Sequence, residues 1–422
     1  MINPRRIAFN LILEWQDSQT FPNLALKNAL RSVEDDRDRR FVTALVYGVV
    51  ERKITLDHYI SKCSDRPLER LSNTVRTALW LGIYQMFYLD VPHAAACDTT
   101  VKLIKATRQS QSAGFVNAVL RRCSREKEAL LLLKKADFSV RYSIHPSLVE
   151  LLLEQYGKER FVAMMEAFYA PDRTMYLYHN FKRCSESELL QALELNGVRL
   201  QKTDLPHLFL SASGFGVEAT EAFANGWFHV VGYHSAKAAL FMPKDANAID
   251  LCAAPGGKTF VMATLTDKPI RACDVHLHKV RLLENAAARL GHANVQVILN
   301  DSAVYKDEWT ETADFVLCDV PCSGLGIMGK KPDIKYKLSQ NDDLLIIQRQ
   351  ILRNGAAYLR KGGRLVYSTC TLDRRENEEQ VQLFLQENPD FKPDVELLKD
   401  GMETFFPEAG KDGFFIAVMK KG

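Results

Sequence analysis

The sequence predicts a multi-domain protein: an all-α bundle over residues 1–138, a small α/β connecting domain over 139–236, and an α/β domain with a parallel sheet over 237–422. Three observations carry this expectation. A chain of 422 residues is too long for one core, because domains usually run about 100 to 200 residues. Apolar residues recur at helical spacing through nearly all of the front segment. Beyond Asn247 short apolar strands alternate with helical runs, the pattern of a parallel sheet covered on both faces.

Taken in order, Asn3 is placed to cap a first helix with Pro4 at its first position, and Ile7, Ala8, Leu11 and Trp15 recur at helical spacing. Further helical stretches are expected over about 41–61, 73–89, 97–108 and 113–132. Ser143-Ile144-His145-Pro146 opens the connecting domain with a helical region, and 174–178, 208–211 and 228–231 read as short strands. The last domain offers strands at 248–251, 271–273, 295–299, 315–318 and 364–368, with helices over 277–290 and 344–359.

Composition excludes several classes. At 47% hydrophobic and 25% charged residues the chain is neither disordered nor fibrous. The most apolar stretch, 78–89, is shorter than the roughly 18 residues a membrane span needs, and no membrane partner is expected. The N-terminus shows no secretory cleavage pattern. Nine cysteines without a spacing ladder argue for reduced thiols in a cytoplasmic protein and against a metal site, since none lies in a Cys-x-x-Cys pair. The formal charge of +3 hides an asymmetry: residues 1–140 hold 22 basic and 15 acidic side chains. Basic clusters there, including Arg121 and Arg122, could follow a phosphate backbone, and so could Lys330, Lys331 and Lys335 around Pro332-Asp333.

The chemistry concentrates at strand ends. Asp250-Leu251-Cys252-Ala253-Ala254-Pro255-Gly256-Gly257-Lys258-Thr259 lies where a strand turns into a helix, and its small residues let backbone amides approach a ligand. Gly257-Lys258-Thr259 matches the end of a phosphate-binding P-loop, but Cys252 stands where that motif needs its first glycine. Asp274, Asp301 and Asp319 follow three successive strands, and the acid after the second is placed to accept ribose hydroxyls. Cys322 and Cys370 each follow a strand in a turn, at the edge where such sheets bind ligands, unlike Cys273 and Cys318, which sit within strands as small hydrophobes.

Together the Asp-x-Cys-Ala-Ala-Pro-Gly-Gly-Lys-Thr loop, Asp274, Asp301, Asp319-Val320-Pro321-Cys322-Ser323-Gly324 and Tyr367-Ser368-Thr369-Cys370-Thr371 resemble the RNA cytosine-5 methyltransferases over about residues 230–422. The front segment, with Gly114-Phe115-Val116-Asn117-Ala118-Val119-Leu120-Arg121-Arg122, resembles the helical RNA-binding antitermination factor NusB. That fusion is the arrangement of the bacterial ribosomal RNA small-subunit methyltransferase B family. The resemblance implies a Rossmann-like catalytic domain, S-adenosylmethionine as cofactor, and methylation of unassembled 16S rRNA at the cytosine 967-type site, while the charge split suggests a monomer that one long RNA contacts at both ends. It further implies Cys370 as the nucleophile that attacks carbon 6 of the base, Cys322 in product release, and Asp319 beside the methyl donor and the base. Cys252, Ala253, Ala254, Pro255, Gly256, Gly257 and Lys258 would cradle the methionine part, with Asp274 on the ribose and Asp301 on the adenine. Two stretches depart from the family: 230–235 lacks its Gln-Asp, and Glu408 stands where His is common.

The residues alone leave open which thiol attacks. Carbon 5 of cytosine is a poor nucleophile, so a thiolate must first add to carbon 6, and either cysteine meets that need. An acid near ring nitrogen 3 would stabilise the adduct, and Asp319 is the candidate. Rival readings are a tRNA methyltransferase, a non-enzymatic RNA-binding assembly factor and a P-loop hydrolase; retention of both thiols and three acids opposes the second, and Cys252 the third.

Overall fold

The protein is described from a computed structural model covering residues 3–18, 23–133, 137–170, 174–212, 216–337 and 342–422. It divides into two compact units, one formed by residues up to 151 together with 328–337, the other by 152–327 and 342–422. The connecting segment does not stand apart as the expected third domain.

The first unit is helical, as predicted. Asn3 Oδ1 accepts from Arg5 N at 3.0 Å and opens the helix Pro4–Ser18. The stretch expected as one helix over 41–61 is two, Asp36–Glu51 and Lys53–Cys63, broken at Arg52, whose φ of −116° and ψ of 20° are not helical. Helices Asn73–Tyr88, His93–Lys105 and Ala113–Arg125 follow. Trp15, Leu45, Val49, Tyr59, Trp80, Ile83, Val116 and Leu120 share one buried core, each large side chain contributing about 1.5–3 kcal/mol by leaving water. The buried carboxylate of Asp57 is engaged here: it accepts from Trp80 Nε1 at 2.9 Å and from Nε and Nη2 of Arg76.

The short helical turn Pro332–Tyr336 belongs to this unit although the sequence places it inside the catalytic domain. Tyr336 Oη accepts from Lys53 N, donates to Val50 O and lies 3.0 Å from Ser143 Oγ, while Lys335 O accepts from His145 N at 2.8 Å. Lys335 is fully buried. This corrects the expectation that Lys335 would hold RNA phosphates: a side chain with no exposed surface cannot reach them, and burial lowers its ammonium to about 8. Lys330 and Lys331 remain exposed.

The second unit holds two sheets. Strands β1 (Met175–His179), β2 (Leu200–Lys202), β3 (Leu208–Ser211) and β4 (Phe228–Val230) form an antiparallel sheet in the order β2-β3-β1-β4. Of these only β2 escaped the sequence reading. Tyr176, Tyr178 and Leu208 join the same core as Ala248, Phe315 and Ile416 of the larger sheet, which is why the segment is not a separate unit. The larger sheet contains β5 (Ala248–Asp250), β6 (Ile270–Asp274), β7 (Val295–Leu299), β8 (Ala313–Asp319), β9 (Leu359–Thr369), β10 (Phe391–Pro393), β11 (Met402–Phe405) and β12 (Phe414–Lys421). Its order is β10-β12-β9-β8-β5-β6-β7, with β11 on β12. The five strands β5 to β9 are mutually parallel, and β12 runs antiparallel to β9.

Side chains alternate between its two faces as strand geometry requires. Phe315 and Leu317 enter one core cluster, Val316 and Cys318 the other; β12 divides likewise into Ile416 and Val418 against Phe415 and Ala417. Because both faces are covered, the strands read as continuous apolar runs. Chain direction along the sheet reverses between β5 and β8, the place where such sheets open a crevice at their carboxyl ends.

Candidate active site

β8 and β9 are parallel neighbours, with Asp319 opposite Ser368. Their carboxyl ends therefore point the same way, and the turns that follow them, three residues beyond Asp319 and two beyond Ser368, carry Cys322 and Cys370 into contact. The sulfurs are 3.4 Å apart, and neither residue is fully buried. The Cys322 thiol is pushed well above its ordinary range, first by its hydrogen bond with Cys370 and then by burial. Cys252, Cys273 and Cys318 are also pushed up, in each case chiefly by burial. They are inert thiols at neutral pH.

Gly326 explains part of the local chain path. Its N–H donates to Cys370 O at 2.9 Å and its carbonyl accepts from Gly413 N at 2.9 Å. A Cβ at Gly326 would lie 2.1 Å from Gly413 O and 2.8 Å from Cys370 O, so only glycine allows this approach.

Beside the thiols Asp319 accepts from Lys258 Nζ at 2.7 Å through Oδ2 and from Ser368 Oγ at 2.8 Å through Oδ1. Lys258 stands in the first turn of the helix Gly257–Leu265, which starts directly after the loop that leaves β5. Burial opposes its charge, but Asp319, with help from Asp250 and Cys370, outweighs that and holds the ammonium above its ordinary range. Lys258 is thus a partner of the acid that lines the same cavity as the two thiols. The sequence reading placed it only among cofactor-binding residues, and its motif alone carries no signal for this pairing.

The loop itself is closed by Asp250, which is fully buried and accepts from Thr259 Oγ1 at 2.7 Å and from Cys252 N at 3.4 Å. Burial pushes this carboxyl up to about 7. Gly256 sits at φ +110°, and an added Cβ would meet Phe260 and Leu283, so its glycine is required twice over.

A cavity of about 440 Å³ opens at this edge, lined by Cys252, Ala254, Asp274, Asp301, Asp319, Cys322 and Cys370 among others. The three acids predicted from successive strand ends thus line one cavity, and both thiols border the same space. Ala253, Pro255, Gly256, Gly257 and Lys258 do not line it. They shape the turn behind it. Ile347, Ile351 and Val320, which the sequence did not single out, add apolar surface. Asp274 is nearly buried, accepts from His276 N at 2.9 Å and has Lys279 Nζ 3.7 Å from its other oxygen; Asp301 is more exposed and caps the turn at Ala303 N. A volume of this size, with apolar walls and a few acids, fits a nucleoside carrying a cationic tail.

The basic residues expected to meet RNA are dispersed. Arg121 lines a separate polar cavity in the helical unit together with Arg125, His93 and Asn117. Arg122 is engaged by Glu126 at 3.0 Å and Asp65 at 3.5 Å.

Comparison with known proteins agrees with this arrangement. Residues 238–420 match the family described as 16S rRNA methyltransferase RsmB/F, and residues 2–125 match the NusB family. The chain is 34% identical to the probable ribosomal RNA small subunit methyltransferase B of Bacillus subtilis (strain 168), covering 99% of this chain and 98% of that one. It is also 34% identical to the probable ribosomal RNA small subunit methyltransferase B of Synechocystis sp. (strain ATCC 27184 / PCC 6803 / Kazusa), covering the full length of both. In fold, 66% of the chain matches 98% of NSun6 from Pyrococcus horikoshii, solved with SFG, an analogue of S-adenosylmethionine, with a TM-score of 0.57 and 22% identity. With a helical NusB unit, a methyltransferase sheet and relatives alike from end to end, the chain belongs to the ribosomal RNA small subunit methyltransferase B family and is a methyltransferase.

Proposed function

We propose that this methyltransferase modifies carbon 5 of a cytosine in small-subunit ribosomal RNA, at the cytosine 967-type site, through a covalent adduct on Cys370. The observation that carries the reading is the pair of thiols in contact at the rim of an acid-walled cavity, with Asp319 lining the same space. The ribosomal substrate is supported by the names of the relatives from Bacillus subtilis and Synechocystis.

S-adenosylmethionine, when bound, supplies the methyl group as an electrophilic sulfonium. Asp274 would hold its ribose, Asp301 its adenine, and Cys252 and Ala254 its methionine part. By the family likeness Cys370 is the nucleophile: it attacks as the thiolate, its proton passing to water, and its sulfur forms a bond to carbon 6 of the base, with the Cys322 sulfur 3.4 Å away. As the carbon 5–carbon 6 electron pair is pushed toward ring nitrogen 3, that nitrogen takes a proton through Asp319, which Lys258 re-supplies. After methylation the carbon 5 proton leaves to water, the carbon 5–carbon 6 double bond re-forms, the carbon 6–sulfur bond breaks with its electron pair returning to Cys370, and ring nitrogen 3 returns its proton to Asp319. Cys322 stabilises that departing thiolate through its S–H. The cytosine must leave its stack to reach this edge, and Lys330, Lys331 and Arg121 are the exposed cations proposed to hold the surrounding RNA.

The test is transfer of labelled methyl to protein-free small-subunit rRNA by wild type, Cys370→Ala and Cys322→Ala, with the product nucleoside identified. Wild type should make 5-methylcytosine, Cys370→Ala none, and Cys322→Ala a stalled protein–RNA adduct stable in denaturing gels. Activity on tRNA alone would overturn the substrate, and an inactive Cys322→Ala without adduct would exchange the two roles.

A further inference from the structure

The dipeptide Glu376-Asn377 lies beyond both cysteines in the chain, yet its two side chains hold both cysteine turns. Glu376 is almost completely buried, and its Oε2 accepts from Ser323 N at 2.9 Å. The same oxygen accepts from Gln348 Nε2 at 2.8 Å, and that nitrogen also donates to Pro321 O at 2.9 Å. The residues on either side of Cys322 are therefore tied to one carboxylate, directly on one side and through Gln348 on the other. Asn377, fully buried, does the same for Cys370: Oδ1 accepts from Thr369 Oγ1 at 2.6 Å and Nδ2 donates to Thr371 O at 3.1 Å. A further link, Ser323 Oγ to Thr371 Oγ1 at 2.6 Å, joins the two turns, and Tyr367 Oη anchors the carbonyl of Glu376 to β9 at 2.7 Å.

We propose that Glu376 and Asn377, with Gln348, are positioning residues that set the contact between the two thiols, Glu376 and Gln348 fixing Cys322 for product release and Asn377 fixing Cys370 for attack. None of the three reaches the reacting atoms. A carboxylate suits the first position because it can accept from two donors at one oxygen without offering a hydrogen of its own. Burial raises the Glu376 carboxyl, and the hydrogen bonds from Ser323 and Gln348 oppose that rise, as expected of a buried acid held by its hydrogen bonds. Geometry held this tightly matters because a displacement of about 1 Å in a reacting group lowers turnover about 100-fold.

The inference rests on the roles proposed above for the two cysteines, and two readouts separate its failure from theirs. In a crystal structure of Glu376→Ala the Cys322 sulfur should leave hydrogen-bond contact with Cys370; persistence of the 3.4 Å contact overturns the inference whatever each thiol does. In methyl transfer with rRNA and S-adenosylmethionine, Glu376→Ala should lower kcat about 100-fold, leave KM for RNA near wild type and accumulate the adduct expected for Cys322→Ala. Glu376→Gln, which keeps an acceptor for Ser323 N, should recover most of that loss. Asn377→Ala should slow adduct formation and accumulate none. Wild-type turnover by Glu376→Ala, or equal damage from Glu376→Gln and Glu376→Ala, would overturn the inference. If Cys322→Ala itself accumulates no adduct while the thiols separate in Glu376→Ala, the positioning role stands and the release role of Cys322 falls. Gln348→Ala, expected to reproduce the Glu376→Ala phenotype more weakly, serves if Glu376→Ala does not fold, and wild-type behaviour of it would likewise count against the inference.

Discussion

Lys258 and Asp319 form the charged pair on which the proposed chemistry depends, and their coupling can be measured without substrate. At 2.7 Å, with side chains 12% and 26% exposed, two unit charges attract by about 6 kcal/mol at an effective dielectric of about 20. Desolvation of both groups and the partial exposure of Asp319 offset roughly half of this, leaving a coupling of about 3 kcal/mol. Lys258→Met should therefore destabilise the protein by about 3–5 kcal/mol, because it leaves a largely buried carboxylate without its cation. Asp319→Asn should also destabilise it, and the double variant should lose about 3 kcal/mol less than the two single losses combined. Urea unfolding at pH 7.5, followed by circular dichroism for all four proteins, completes the cycle. Additivity within about 0.5 kcal/mol would refute the argument that this is an interacting pair in a shielded site. If the coupling is present, Lys258→Met should also lower kcat for methyl transfer by about 100-fold or more, the range for loss of a positioned proton donor.

Other expectations follow from single positions. Asp250, raised from 3.8 to about 7, binds a proton in the folded state that the unfolded chain has released, so this group's contribution to stability is present below about pH 4 and lost as pH rises to 7. Relative to Asp250→Asn, wild type should lose at most about 3 kcal/mol between pH 5 and pH 8, read by urea midpoints at those two values; parallel profiles would show an ordinary carboxyl. Gly256→Ala should destabilise by about 2–3 kcal/mol and weaken cofactor binding in calorimetry, since φ is +110° and the new Cβ would sit 2.2 Å from Phe260 Cε2. Lys335→Met should stabilise the helical unit by up to about 3 kcal/mol at pH 7, an advantage that shrinks as pH rises from about 8 to 10, and should leave RNA affinity unchanged; weakened RNA binding would restore the role the burial denies.

Most elements that place the site were legible because their signals are local. Continuous apolar runs marked β5 to β9, helical spacing marked the front unit, and acids or thiols just past a strand marked its carboxyl edge. The antiparallel strands β10 to β12 were missed: β10 and β11 are short and interrupted by proline and charge, and β12 is a fully buried run that periodicity alone does not separate from a helix. Arg52 was hidden in the same way, since its break in the helical pattern is backbone geometry rather than composition.

The sequence by itself determined the chemistry available to this protein: two thiols, three acids and a small-residue loop at the end of one sheet. Only the tertiary structure decided how that chemistry is divided. Cys322 and Cys370 lie 48 residues apart and are brought into contact by the parallel pairing of β8 and β9. Lys258 finds Asp319 across β5 and β8, Glu376 and Asn377 reach back to turns they follow in the chain, and Lys335, in a segment that reads as a solvated basic loop, is buried by docking on helices nearly three hundred residues before it. Residue type and spacing set what a side chain can do, but its proton affinity and its partners depend on burial and on neighbours distant in sequence, and these exist only once the chain is folded.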